Sequence, residues 1–67
     1  MHEERLALEA LRAALHAERS AWYGVVSNPG DPARLKEAAE AARRRIDAVI
    51  RWLDAAENSK IDGLNSG

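Results

Sequence analysis

Two runs of apolar residues, spaced alternately by three and four, stand on either side of a single break, Ser27-Asn28-Pro29-Gly30-Asp31-Pro32. That pattern constrains the fold more than any other feature. Apolar side chains recurring at about 3.5-residue intervals line one face of an α-helix, whereas a half-buried strand needs them at every second position. In the first run Leu8, Leu11, Leu15, Trp22 and Val25 keep the rhythm, and Glu18 is the polar residue that interrupts it. Ala7, Ala14 and Ala21 repeat beside that seam as a narrow shelf on which another helix can approach closely, and Arg5, Arg12 and Arg19 line its other flank. In the second run Leu35, Ala39, Ala42, Ile46, Val49, Leu53 and Ala56 alternate four and three without an error. Ile50 and Trp52 flank this second seam on opposite sides and widen its apolar surface.

The ends of the helices follow from backbone chemistry. Asp31 before Pro32 defines a start: an aspartate side chain accepts an orphan amide at the N-cap, and proline at the first helical position lacks the amide that would go unpaired. Two stops compete for the first helix. Gly24 can take the left-handed conformation that closes a helix, with Val25 and Val26 continuing as extended chain. Alternatively the helix runs to Ser27, because Asn28 precedes Pro29 and is pushed out of the α region. The expected layout is helix 1 over about 2–23, a connection over 24–31 and helix 2 over about 32–57, together a hairpin spanning 1–57, followed by a polar tail over 58–67. A connection this short forces the helices antiparallel, so the predicted fold class is all-α, an antiparallel two-helix hairpin. The tail reads as flexible by composition, with a short docking strand anchored by Ile61 and Leu64 as the alternative.

A hairpin of this kind is short of core. The 67 residues fall below the ~70–80 at which one core is comfortably stable. Fourteen of the hydrophobic residues are alanine, leaving seven Leu, three Ile, three Val, one Met and three aromatics. Ordering two helices costs about as much as their mutual burial returns. The hairpin is therefore expected to complete a helical bundle by self-association or by docking on a partner, through Trp22, Ile50, Trp52 and Leu53.

Several function classes are not expected. The chain has no cysteine, which excludes disulfide frameworks and thiolate metal sites. Ten basic against eleven acidic residues make the whole chain no electrostatic nucleic-acid binder. No apolar run approaches the ~18–20 residues of a membrane span, and Met1-His2-Glu3-Glu4 is too acidic for a signal peptide, so a cytoplasmic protein with no membrane partner is expected. His2 and His16 stand ~21 Å apart along one helix and cannot share a metal. His16 reads as a solvated or interfacial residue. With no serine placed for a triad and no glycine-rich phosphate loop, no enzyme and no cofactor are expected. Glu18 in an apolar seam needs a guanidinium partner or a raised pKa, and the reading adopted is a structural ion pair or register device. Arg43-Arg44-Arg45 with Arg51 and Trp52 is the dense basic patch, since Trp beside Arg can stack on bases and bind phosphate. Consecutive helical residues nevertheless diverge by about 100° each, so these arginines fan out.

Three resemblances add to this reading. The layout of a short helical hairpin with a polar tail resembles the plasmid copy-number regulator family Rop, whose members form homodimeric four-helix bundles that bind paired RNA loops. That resemblance implies a small nucleic-acid-binding regulator using Arg43, Arg44, Arg45 and Arg51. The segment Arg44-Arg45-Ile46-Asp47-Ala48-Val49-Ile50 is similar to the opening helix of the helical chorismate mutases over about a tenth of the chain. The further helices that supply that family's other active-site residues are missing here, so it implies no enzyme. Arg12-Ala13-Ala14-Leu15-His16, with the length and the helix-connection-helix order, resembles the small head–tail joining proteins of tailed phages. That family carries a β-hairpin between its helices where this chain has Gly24 to Asp31, and the resemblance implies a small virion subunit. The expected function is thus a non-enzymatic interaction protein, acting through homo-oligomerisation or within a larger assembly, with the nucleic-acid regulator as the alternative.

Overall fold

The computed structural model describes the backbone of residues 2–66 and the side chains of residues 2–60. It holds two helices, α1 (His2–Ser27) and α2 (Pro32–Ser66), with no strand among the described residues. The helices pack side by side as a hairpin, a rod of 56 × 13 × 11 Å.

The reversal is a tight turn. Asp31 donates its amide to the Asn28 carbonyl at 3.2 Å, and Gly30 has φ of 94°. With Pro29 and Gly30 as the central residues this is the type II arrangement, in which proline presets the first position and glycine accepts the positive φ of the second. Gly24 is not the stop. Its carbonyl accepts the Asn28 amide at 3.1 Å and the Asn28 side-chain amide at 3.3 Å, so α1 continues past it to Ser27 and ends where Pro29 forbids more helix. The connection accordingly shrinks from the expected 24–31 to 28–31. Asp31 caps α2 as read from the sequence: its Oδ1 accepts the Ala33 amide at 3.0 Å, and its carbonyl accepts the Leu35 amide at 3.3 Å.

At the other end α2 runs to Ser66, so the segment expected as a polar tail from 58 has a helical backbone. No proline interrupts it, and adding residues to an existing helix avoids the nucleation cost. A docking strand is therefore replaced by helix; the side chains of Ile61 and Leu64 lie outside the described residues.

The seam between the helices differs from the one expected by about one position on each helix. Ala7, Leu11, Ala38 and Ala41 are the buried hydrophobic residues among those described. Ala14, Glu18, Ala21 and Val25 continue the α1 side half-buried, and Arg45, Ala48, Trp52 and Ala55 continue the α2 side. The alanine shelf, not the leucine line, is what α2 packs on. Methyl side chains let two helix axes come to the short end of the usual ~8–10 Å range, and leucines or isoleucines between them would push them apart. Trp52 likewise sits in this seam and does not flank it.

The two central glycine positions carry opposite expectations. Gly24 lies in a helix, and a methyl group there would meet nothing closer than the Arg34 Cδ at 3.6 Å. Gly24→Ala should raise stability by ~0.5–1 kcal/mol. Gly30→Ala should lower it by ~1–2 kcal/mol, because an L side chain resists that φ even in open space. Urea midpoints of both variants at one fixed protein concentration check the pair.

Candidate functional site

Because the alanines face inward, the larger apolar residues are displaced to a flank. On α1, Leu8, Leu15, Trp22 and Val26 lie within about 40° of one another around the helix axis, beside the seam. On α2, Leu35, Ile46, Ile50 and Leu53 fall within about 60° of one another. In an antiparallel pair the direction of rotation reverses between the helices, and these two flanks come out on the same side of the hairpin. All eight residues are 40–75% exposed. Leu8 to Val26 spans ~27 Å at 1.5 Å per residue. The opposite side carries small residues of α1 and a shallow groove lined by Leu6, Ala7, Ala10, Arg51 and Ala55.

This arrangement distributes the residues singled out in the sequence. Trp22, Ile50 and Leu53 stand together on the large apolar face, while Trp52 is half-buried in the seam. The four arginines part company. Arg45 turns inward, Arg43 lies one heptad before Ile50 at the outer rim of the apolar face, and Arg44 and Arg51, two turns apart, share the side away from that face.

Arg45 meets Glu18. Its Nε donates to the Glu18 Oε1 at 2.7 Å, and the Trp22 indole donates to the other carboxylate oxygen at 3.2 Å. The carboxylate is mostly covered, with 16% of the Glu18 side chain and 33% of the Arg45 side chain exposed. The apparent flaw in the first apolar run is thus half of an ion pair across the hairpin. Its partner was legible only with the α2 frame shifted so that Arg45 falls among Ala38, Ala41, Ala48 and Ala55.

The Arg45 hydrogen bond, then that of Trp22, holds the Glu18 carboxyl below the usual glutamate range against the opposing effect of burial, and the Arg45 guanidinium is correspondingly raised. By contrast Arg5 and Glu9, at 3.7 Å, are 81% and 60% exposed. Such surface pairs contribute little. Arg19 packs over the Tyr23 ring at 5.6 Å from its centroid and donates to its hydroxyl at 3.2 Å, at the edge of the apolar face. Among the described residues no group of three or more acidic or histidine side chains is placed to hold a metal, and no helix is long and apolar enough to cross a membrane. No family model, no curated protein and no solved structure matches the chain.

The pH dependence of stability follows from the lowered Glu18 value. The folded state favours the ionised carboxylate, so its contribution is fully present above the ordinary glutamate range and is lost as pH falls through the lowered folded value. Glu18→Gln should be less stable than the native chain at neutral pH, with the difference narrowing in acid. Glu9→Gln, in an exposed pair, should match the native chain at neutral pH. Chemical unfolding of the three proteins across that pH range checks this.

Proposed function

We propose that the protein is a non-enzymatic association module whose large apolar face is covered by another helical surface. The observation that supports this is the segregation itself: the hairpin packs on its alanines and leaves eight of the ten exposed large hydrophobic residues among those described on one side, Leu6 and Tyr23 being the others. Monomeric proteins rarely expose contiguous apolar patches beyond a few hundred Å². The accessible surface of the chain is 5420 Å², whereas a globular protein of this length exposes about 4,200 Å². Covering the apolar face would bring the total exposed surface closer to that of a globular protein. The surface that covers the face belongs either to further copies of the chain or to a larger assembly, with a phage virion as one such setting.

A second reading, the nucleic-acid regulator, draws on Arg44 and Arg51, exposed two turns apart on the side that such an association leaves open. It is compatible with the first. Phosphate contacts of this kind weaken steeply with salt.

Leu15→Glu with Ile46→Glu alters two exposed residues in the middle of the face and leaves the hairpin seam untouched. The double variant should abolish association of the native chain in sedimentation equilibrium. An equally compact, cooperatively melting monomer for both chains at nanomolar concentration overturns the proposal. RNA binding that persists at about 150 mM salt, where the Debye length is ~8 Å, and that falls with Arg44→Ala and Arg51→Ala, promotes the second reading.

A further inference from the structure

We infer that the occupant of the apolar face is a second copy of this chain, stacked so that α1 of each copy lies over α2 of the other and both turns point the same way. The inference rests on the association reading above and names its partner and geometry.

The accessible surface exceeds that of a globular monomer of this length by roughly 1,200 Å². A standard stable interface removes about 800 Å² from each side, so one flat contact of this size absorbs most of the excess. A face two helices wide and ~27 Å long is the shape that a second two-helix face covers.

Glu18 opposite Arg45 sets which residues share a level along the rod. At the level of Leu15 the α2 flank carries Ile46 and Val49, and near Leu8 it carries Leu53. At the level of Trp22 it carries only Ala39 and Ala42. The largest ring on the face therefore stands beside its shallowest point.

Two identical hairpins can stack face to face about either of two twofold axes. An axis parallel to the helices keeps every level and swaps the flanks, so Trp22 of each copy enters the hollow over Ala39 and Ala42 of the other, and the contact is made twice. An axis across the helices sends each Trp22 towards the far end of the partner's α1, onto the level of its leucines, bulk on bulk. Close packing favours the first.

The test is a swap between chains. Trp22→Ala empties the hollow, and Ala39→Trp, an exposed position in the hairpin, fills it. Each single variant alone should dimerise about a hundredfold more weakly than the native chain. Their equimolar mixture should recover a dimer, because the heterodimer holds one ring in each hollow. Sedimentation equilibrium reads mass, and circular dichroism confirms that each variant remains helical. A native dimer with no gain on mixing overturns the stacking. A native chain that stays monomeric and poorly helical at every concentration overturns the second copy while leaving the face to another partner. A compact, stable native monomer overturns both the inference and the association reading.

Discussion

The close approach of two helices over alanine methyl groups is the constraint on which the rest of this structure depends. Burying methyl groups contributes little per residue, so the contact between α1 and α2 is long and thin, with Ala7, Leu11, Ala38 and Ala41 as its buried hydrophobic members. What the alanines provide is proximity. Once the axes are close, few larger side chains fit between them, Leu11 and Trp52 among those that do, and most of the leucines, the isoleucines and Trp22 stand to one side. The exposed face is therefore the geometric counterpart of the small-residue seam.

Much of this was legible in the sequence, for reasons that can be named. Helix content followed from spacing, and the reversal from the Asn28-Pro29-Gly30-Asp31 run, where each residue has a local conformational preference that no tertiary contact overrides. Asp31 performs the capping role its position implies. The frame of the seam was harder to read. Counting large apolar residues finds the most hydrophobic stripe on each helix, but the innermost stripe is the one that lets the axes approach, and on these helices the two lie side by side. Arg45 and Trp52 were read as surface features for that reason, since both fall in the frame that the large residues do not mark. Gly24 misled in a different way: glycine tolerates the left-handed stop without requiring it, and Pro29 ends the helix a few residues later. The helical backbone beyond residue 57 was not readable from composition, because polar residues with no proline neither demand nor forbid helix.

The Glu18 and Arg45 pair shows how polar groups enter so small a contact. A carboxylate left alone in an apolar seam is costly, yet here it accepts from a guanidinium at 2.7 Å and an indole at 3.2 Å, and both partners keep some exposure. Trp22 thereby links the two halves of the architecture. Its nitrogen belongs to the seam network, while its ring belongs to the apolar face.

The seven-residue repeat of Ala7, Ala14 and Ala21 against that of Ala41, Ala48 and Ala55 has a further consequence. A surface that repeats is degenerate to translation: sliding one helix by a heptad, ~10 Å, would set methyl against methyl much as before. Glu18 and Arg45 have no copies one repeat away, since Leu11 and Val25 occupy the equivalent places on α1 and Ala38 and Trp52 those on α2. The tight turn over 28–31 forbids so long a slide within one chain, and the single ion pair adds a second, non-repeating mark to an alignment that the hydrocarbon alone would not single out.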